Sequence, residues 1–256
     1  MDEVNVERPS DGIATIRLHR PEARNAINMT VRQLLAEHFG KLGSDTETRC
    51  IIVTGGEKVF AAGADIKDLS ERGAIEMMLR NTQRLWQVIA SCPKPVVAAV
   101  NGFAWGGGCE LAMHADIIIA GEHASFSQPE ILVGIMPGAG GTQRLTRAVG
   151  KYQAMKMLLT GQSVTATAAL SMGLVSEVVA DDQVQARAIE LAKQIASMPP
   201  LAAAQIKEVV LAGQDASLET ALMLERKAFQ LLFDSRDQKE GMRAFLEKRH
   251  PSFQGQ

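Results

Sequence analysis

The stretch that decides the fold runs from Pro95 to Ala120 and reads PVVAAVNGFAWGGGCELAMHADIIIA. It holds two short apolar runs, 95–100 and 116–120, which are separated by a glycine-rich segment. Runs of this length are typical of strands that are buried on both faces, as in parallel sheets. Since parallel strands need crossover connections, the stretch predicts an α/β protein with a substantially parallel sheet.

Outward from this stretch, strand and helix patterns alternate through the first two thirds of the chain. Residues 12–18 alternate in twos and residues 51–54 form a β-branched run, so both are predicted strands. Apolar residues at helical spacing predict one helix across 31–42 and another across 75–89. The last predicted strand covers residues 174–179.

The last third of the chain is predicted to be helical. Three helical patterns follow one another there, of which Pro199-Pro200 opens one and Ser235, with Gln238 three residues later, resembles a capping box. We therefore predict a core over residues 1–180 that carries the active site, and a helical oligomerisation region over residues 181–256.

Bulk composition predicts a compact globular protein and excludes several classes. The chain has 256 residues, 46% hydrophobic and 22% charged, which is enough for a full core and unlike a disordered protein. A net charge of −2 argues against nucleic acid as a partner.

The start resembles neither a signal peptide nor a transit peptide, so a cytoplasmic location is expected. Polar residues and glycines interrupt the apolar stretch 96–120, so no membrane span is expected. Three cysteines without CxxC spacing predict free, buried thiols.

Candidate chemistry is concentrated in two glycine-rich loops. Residues 61–67 and 106–110 stand next to predicted strand ends, and their small residues let the main chain approach a ligand closely. The second loop opens a short helix, whose free amides would attract a developing negative charge. Each loop is thus either part of an oxyanion site or a simple tight turn.

Two glutamates and a histidine accompany these loops. Glu110 is flanked by glycine and apolar residues, so its carboxylate is predicted to be buried, and a buried charge needs a partner or a task. Glu130 follows Pro129 and could equally be an acidic residue in the first turn of a helix. His114 lies four residues after Glu110 and could share its helix face, but no third ligand is evident, so a core or hydrogen-bonding histidine and no metal site are expected. Residues 138–142 lack the order of a phosphate loop, and no dinucleotide-binding motif is present, which argues against nucleotide hydrolysis and NAD use.

Several motifs spread over the chain carry a family resemblance. They are Pro21-Glu22-Ala23-Arg24-Asn25-Ala26, Ala62-Gly63-Ala64-Asp65-Ile66-Lys67, Asn101-Gly102 through Gly107-Gly108-Cys109-Glu110, Pro129-Glu130 and Gly134-Ile135-Met136-Pro137-Gly138-Ala139-Gly140-Gly141-Thr142. Together they resemble the enoyl-CoA hydratase/isomerase, or crotonase, family, and the resemblance extends over nearly the whole chain. It implies a crotonase-like spiral of ββα turns with a C-terminal helical trimerisation region, assembled as a homotrimer or as a hexamer of two trimers.

The resemblance also implies an activity and the residues that perform it. The substrate is an acyl-CoA thioester, so coenzyme A is part of the substrate and no separate cofactor is implied. Ala64 and Gly107 supply the backbone N–H donors of an oxyanion hole. Glu110 orients and activates water as the base, and Glu130 donates a proton to C2, although the two roles can be shared. The other implied substrate contacts are Ala62, Gly63, Asp65, Ile66, Lys67, Gly138 and Arg24.

Three functions fit these residues. The first is hydration of short or medium 2-enoyl-CoA, including unsaturated dicarboxylyl thioesters. The second is isomerisation or another crotonase reaction, but those branches commonly keep only one of the two glutamates. The third is a non-catalytic or RNA-binding protein on the same fold, and the near-neutral net charge argues against it.

Ser127 and His114 depart from the residues usual in the family, which leaves the acyl-chain preference open. Trp105 and Phe103 either line the acyl tunnel or fill the core.

Overall fold

Two sheets organise the chain in the computed structural model, which describes residues 2–256. The strands are β1 (Val4–Ser10), β2 (Ile13–Leu18), β3 (Cys50–Thr54), β4 (Val96–Val100), β5 (Phe103–Trp105), β6 (Ile117–Gly121), β7 (Ser125–Ser127), β8 (Val164–Thr165) and β9 (Glu177–Val179). The main sheet has the order β1-β2-β3-β4-β6-β9, and a small sheet has the order β5-β7-β8. All pairings from β2 to β9 in the main sheet are parallel, which confirms the predicted parallel sheet.

Strand β1 is an addition that the sequence patterns did not predict. It pairs antiparallel with β2 through a turn at Gly12, whose φ is 74°. Glycine takes this left-handed conformation without the Cβ clash that other residues meet. Of the strand's residues only Val4 is buried, because β1 is the edge of the sheet. An edge strand of this kind lacks the apolar run by which a central strand is predicted.

Helices cover the faces of the main sheet and continue beyond it. They are α1 (Met29–Ser44), α2 (Ile66–Leu69), α3 (Ala74–Arg80), α4 (Thr82–Ala90), α5 (Gly107–Ala112), α6 (Gly141–Thr160), α7 (Ala166–Ser171), α8 (Val184–Ala196), α9 (Pro200–Gly213), α10 (Leu218–Leu232) and α11 (Arg236–Leu246). Short 3-10 turns lie at Pro21–Ala23, Pro129–Val133 and Asp181–Gln183. Helix α1 confirms the helix predicted across 31–42.

The single helix predicted across residues 75–89 is wrong. The chain forms α3 and α4 there, and Asn81 separates them with a φ of 49°. Asparagine tolerates this left-handed conformation because its short polar side chain can form local hydrogen bonds. One such residue redirects the chain, so apolar residues on its two sides no longer share a face. Ile75 is 71% exposed, whereas Trp86 is buried.

The hydrophobic core lies on both faces of the main sheet. Ile51 and Val53 of β3 pack on one face with residues of α1, α4 and α5, while Ile52 packs on the other face beneath α8. Helix α8 presents Ala188 and Ala192 to the sheet, and these small residues let the helix lie close to the strands. Each fully buried isoleucine or valine contributes about 1.5–3 kcal/mol to folding.

Residues 181–256 contain the four helices α8 to α11, where three were predicted. Helix α8 packs on the sheet with the core, whereas α9 and α10 pack against each other. Pro200 opens α9 as predicted. Ser235 accepts a hydrogen bond from Gln238 N at 3.1 Å, but the Gln238 side chain contacts Met242 instead, so only half of the capping box forms. The division of the chain at residue 180 stays a prediction.

The three cysteines are buried free thiols, as predicted: Cys50, Cys92 and Cys109. Burial raises their pKa, to about 12 for Cys50 and Cys109. Within residues 2–256, none of the helices combines the length and the apolar character that a bilayer crossing requires.

Candidate active site

Main-chain hydrogen bonds hold the loop that follows β3 in a fixed place. Ala61 N donates to Phe103 O at 2.9 Å, and Trp105 N donates to Ala61 O at 3.1 Å. On the other side of the loop, Ile27 N donates to Gly63 O at 2.7 Å. The loop is therefore clamped between β5 and the segment that precedes α1.

Glycine at position 108 lets α5 lie directly on this loop. A Cβ at Gly108 would stand 2.3 Å from Ala61 O and 2.8 Å from Ala61 Cβ, far inside van der Waals contact. Only glycine fits such a position. The close approach fixes the first turn of α5 against the loop, and with it the position of Glu110.

The two amides expected to form an oxyanion hole lie side by side. A Cβ built on Gly107 would stand 3.6 Å from Ala64 N, so the two residues are in contact. Neither amide donates to an acceptor within residues 2–256. Gly107 opens α5, and a helix provides no acceptor for its first amides. The pair can therefore donate to a ligand oxygen, and the positive end of the helix favours an oxygen that gains negative charge.

Glu110 is a buried carboxylate with one oxygen anchored. It is 3% exposed, and its Oε1 accepts hydrogen bonds from Ala139 N at 2.6 Å and Gly141 N at 2.7 Å. Burial raises the pKa of this carboxyl, while the two hydrogen bonds and the guanidinium groups of Arg32 and Arg144 act in the opposite direction. No hydrogen bond from the described part of the chain reaches Oε2. The second oxygen is therefore available to a bound molecule.

Glu130 lies in the 3-10 turn that begins at Pro129. Burial raises the pKa of its carboxyl to about 7, and the charge of Glu110 adds to the rise. Its Oε2 is sealed from solvent without a hydrogen-bond partner. A Cβ at Gly106 would lie 2.8 Å from Oε1, so this carboxyl packs against the chain just before α5. The two coupled carboxyls thus differ, because Glu110 is anchored and Glu130 can hold a proton near neutral pH.

The residues expected to contact coenzyme A lie mainly along one rim of the loop. Ala62 N donates to Arg24 O at 3.0 Å, which ties Arg24 to the loop. Ile66 and Lys67 are exposed at the start of α2. The rim can therefore be reached by a large ligand from solvent.

Asp65 and Gly138 occupy different surroundings from the other expected contacts. The Asp65 side chain caps α2 by accepting from Lys67 N at 3.2 Å, and it pairs with Arg20 at 3.4 Å. Its carboxylate is thus engaged in structure. Gly138 lies on the loop that anchors Glu110, and a Cβ there would meet nothing within 4 Å.

Trp105 and Phe103 of β5 lie side by side, with ring centroids 4.7 Å apart. Phe103 is 37% exposed and Trp105 is partly exposed, with its Nε1 donating to Ser125 Oγ at 3.0 Å. These two rings therefore line a surface and do not fill the core.

His114 is a buried core histidine, as expected. Its Nδ1 lies 2.8 Å from Glu110 O, and its ring stacks on Trp86 with centroids 5.2 Å apart. Burial lowers the pKa of His114 to about 4, so the ring is neutral at pH 7. Ser127 is also internal, and its Oγ donates to Gly161 O at 3.0 Å. Within residues 2–256, no group of three or more His, Cys, Asp or Glu could hold a metal ion.

Sequence reasoning missed the groups that surround Glu110. The donors at Ala139 and Gly141 belong to a glycine-rich segment in which only Gly138 was predicted to have a role at the site. The available signal was that this segment ends where α6 begins, since the first amides of a helix need outside acceptors. Arg32 and Arg144 lie in α1 and α6, and no local sequence feature marks either as a neighbour of Glu110.

Comparisons with known proteins find relatives over nearly the whole chain. A family model described as enoyl-CoA hydratase/isomerase matches residues 8–256. The 2,3-dehydroadipyl-CoA hydratase of Escherichia coli (strain K12) is 42% identical over 255 residues, which cover 100% of both chains. A probable enoyl-CoA hydratase of Rhizobium meliloti (strain 1021) is 46% identical over 241 residues, or 94% of both chains.

A solved structure shows the same fold. The enoyl-CoA hydratase from Bacillus anthracis superposes with a TM-score of 0.95 at 34% identity, covering 99% of this chain and 100% of that chain. The match confirms the crotonase-like fold expected from the motifs. Because sequence and fold agree over nearly the full length, the chain belongs to the enoyl-CoA hydratase/isomerase family.

Proposed function

We propose that the protein is an enoyl-CoA hydratase, a carbon–oxygen lyase that adds water reversibly to a trans-2-enoyl-CoA and gives a 3-hydroxyacyl-CoA. The observation that carries the proposal is the pair of carboxyls at Glu110 and Glu130, set beside the unpaired amides of Ala64 and Gly107. Relatives that are 42% and 46% identical are named as hydratases of this kind, which supports the assignment.

The amides of Ala64 and Gly107 hold the thioester oxygen. As water adds at C3, electron density moves from the double bond onto this oxygen, which becomes an enolate oxygen. Two preorganised N–H donors stabilise that charge without any rearrangement, and one such donor is worth about 2.7–4 kcal/mol of barrier. Coenzyme A arrives with the substrate, so no separate cofactor takes part.

The two carboxyls handle the protons. Water bound to Oε2 of Glu110 gives a proton to that carboxylate while its oxygen bonds to C3. Glu130, which is largely protonated below its pKa of about 7, gives its proton to C2 from the same side, so the addition is syn. A proton then passes from Glu110 back to Glu130, and the sum is one water added. Anchoring of Oε1 by two amides keeps Glu110 in line for each turnover.

Coenzyme A contacts are proposed along the exposed rim described above. Lys67 and Arg24 would approach the phosphates, while Ala62, Gly63 and Ile66 would border the pantetheine. Gly138 would lie beside the reacting carbons, on the loop that anchors Glu110. Asp65 would act by capping α2.

A cytoplasmic location stays a prediction.

A homotrimer or a hexamer of two trimers is the assembly that we propose. Helices α10 and α11 present large apolar side chains to solvent, among them Leu218, Phe245 and Leu246, at 75%, 84% and 81% exposure. Exposed apolar patches of this kind mark contact surfaces. Analytical ultracentrifugation should give a mass three or six times the 27.6 kDa of one chain, and a stable monomer would contradict the proposal.

The test is loss of the enoyl-thioester absorbance of crotonyl-CoA, measured for the unsubstituted protein beside Glu110→Gln and Glu130→Gln. Each variant is expected to lower kcat by about 10²–10⁴, the usual contribution of a general acid or base. Glu122→Gln is a matched control, because Glu122 is exposed and lies on the turn after β6. It is expected to keep the full rate.

Other outcomes would point elsewhere. A protein that leaves crotonyl-CoA unchanged but shifts the double bond of a 3-enoyl-CoA would be an isomerase. Full activity in either glutamine variant would remove the paired-carboxyl mechanism. Retention of RNA at moderate salt, with no turnover of any thioester, would support a binding protein on the same fold.

A further inference from the structure

Two aromatic side chains of β5, Phe103 and Trp105, point away from the core beside the proposed coenzyme A rim. Ala104 between them is fully buried, and successive residues of a strand point to opposite faces. Phe103 is 37% exposed and Trp105 is partly exposed. Their ring centroids are 4.7 Å apart. Phe103 and Trp105, the ring pair, thus form one aromatic surface that faces outward.

The loop that follows β3 shares this outward face. An isolated parallel bridge joins Ala61 to Ala104, and both residues are fully buried. Their neighbours Ala62 and Trp105 therefore point together to the opposite face. Ala62 is partly exposed and belongs to the rim that is proposed to border coenzyme A. The ring pair therefore continues that rim.

A close backbone contact sets the ring pair beside the proposed oxyanion donors. A Cβ at Gly63 would lie 3.1 Å from Trp105 O, and the φ of Gly63 is 111°, so the loop passes directly over the strand at a position that favours glycine. Ala64, the next residue of the loop, carries one donor. Gly107 carries the other, and its Cα lies at most about 7 Å from that of Trp105, two residues earlier. A thioester held by these donors is therefore close to Trp105.

A hydrogen bond orients the Trp105 ring and satisfies its one polar atom. Nε1 donates to Ser125 Oγ at 3.0 Å, on the neighbouring strand β7. The ring therefore offers only apolar surface to a ligand. Aromatic side chains that border a ligand site ordinarily contact the apolar parts of that ligand.

We propose that the ring pair holds the pantetheine arm of coenzyme A, together with Ala62 beside it. The inference rests on the proposed hydratase function and adds two binding residues to it. Pantetheine is a chain of methylene, gem-dimethyl and amide groups, so it can cover aromatic rings without a charged partner. The phosphates, which need cations, continue toward Lys67 and Arg24.

The acyl chain is a less suitable occupant of this surface. Water adds at C3 of that chain, so the chain must run toward the carboxyls of Glu110 and Glu130. Glu110 is 3% exposed and its neighbours Cys109 and Leu111 belong to the core, whereas the ring pair faces away from the core. An arm that runs outward over the ring pair leaves the inward side to the acyl chain.

The first test uses the tryptophan itself as the reporter. The chain has two tryptophans, so Trp86→Phe leaves Trp105 alone. The fluorescence of this variant is titrated with pantetheine, with free coenzyme A and with adenosine bisphosphate. Pantetheine and coenzyme A are expected to change the emission, whereas the nucleotide is expected to leave it unchanged. The same titrations of Trp105→Phe, which retains only the buried Trp86, should be silent.

Three results of this titration would overturn the proposal. They are no response to coenzyme A, a response to the nucleotide without one to pantetheine, and a response that appears only when an acyl chain is attached. The last would place the acyl chain on the ring pair.

The second test separates binding from catalysis. Trp105→Ala is expected to raise KM for crotonyl-CoA by about 10-fold, as for loss of one apolar contact, and to leave kcat within about twofold. Trp105→Phe keeps a ring and should recover most of the loss. The same rise in KM is expected with crotonyl-pantetheine, because both substrates share the arm. Tyr152→Ala is the control, since Tyr152 is an 86% exposed ring on α6, and it should leave KM unchanged.

Other kinetic patterns would contradict the role of the ring pair. A KM that rises with crotonyl-CoA but not with crotonyl-pantetheine would place the nucleotide on the rings. A fall in kcat without a rise in KM would give the rings a structural role. The proposed hydratase function fails separately: no hydration, with Trp105 still responding to pantetheine, removes the hydratase and keeps the ring pair. Hydration with a silent Trp105 does the reverse.

Discussion

Replacing Glu110 by alanine should cost activity and stability, whereas replacing it by glutamine should cost activity alone. Oε1 of Glu110 accepts hydrogen bonds from two backbone amides, at 2.6 and 2.7 Å, in a site that is 3% exposed. Glutamine keeps an oxygen acceptor in that place, so both donors stay paired. Alanine removes the acceptor and leaves both donors unpaired.

The expected size follows from these two contacts. Each buried donor left without a partner costs about 1–3 kcal/mol, so the alanine variant should lose about 2–6 kcal/mol of unfolding free energy before compensation. Part of this loss is offset, because burial disfavours the charged form of Glu110 and so raises its pKa. Alanine carries no charge, and the variant is free of the cost of burying one. Glutamine also relieves the penalty, and it should therefore be at least as stable as the unsubstituted protein near pH 7.

The assay is urea unfolding followed by tryptophan fluorescence, at one protein concentration for all variants, because subunit association adds to stability. Crotonyl-CoA hydration is measured on the same samples, and both variants should be slower by about 10²–10⁴. An alanine variant that unfolds at the same urea concentration as the glutamine variant would refute the reasoning. It would mean that water or a shifted loop satisfies the two donors.

Three other outcomes are expected. Gly108→Ala should destabilise the fold by about 3 kcal/mol or more, because the new Cβ would stand 2.3 Å from Ala61 O, whereas Gly73→Ala, with nothing within 4 Å, should change stability by less than about 1 kcal/mol in thermal unfolding. The pKa of about 7 at Glu130 predicts a pH limb that hydration and dehydration share. The reacting pair carries one proton in either direction and the reaction takes up no net proton, so kcat/KM for hydration and for dehydration should both fall as pH rises through about 7; profiles that stay flat across this range would contradict the assignment. The three buried thiols should be inert to a disulfide reagent in the native protein and react only after unfolding, so a fast-reacting thiol would contradict their burial.

Much of the main sheet could be predicted because its strands carry their own signal. Strands β3, β4 and β6 are buried on both faces, and this environment selects the continuous apolar runs from which they were predicted. Strand β1 lies at the edge of the sheet, where few apolar residues are needed, so it was not predicted. The break at Asn81 was not predicted for another reason, since one left-handed residue does not interrupt a pattern of apolar spacing.

The candidate site shows a sharper limit. The burial of Glu110 could be predicted from its neighbours in sequence, and the family motifs supplied Glu130 and the two amides. The donors to Glu110 stand 29 and 31 residues away along the chain, and no local pattern encodes that contact. Arg32 was missed for the same reason, because only the folded chain brings its guanidinium close enough to Glu110 to act on the pKa of that carboxyl.

The proposed oxyanion donors are main-chain amides, and this has a consequence for engineering. Apart from proline, no replacement removes a backbone N–H, so a mutant library that randomises the walls of the acyl pocket would keep the thioester-activating pair in every member, provided that Ala64 and the loop glycines are left alone. A clone that loses turnover would then have lost its fit to the substrate or the function of the two carboxyls. It would still have the two amides that activate the thioester. The scaffold separates the groups that activate a thioester from those that select it, which makes it a suitable parent for directed evolution toward new acyl groups.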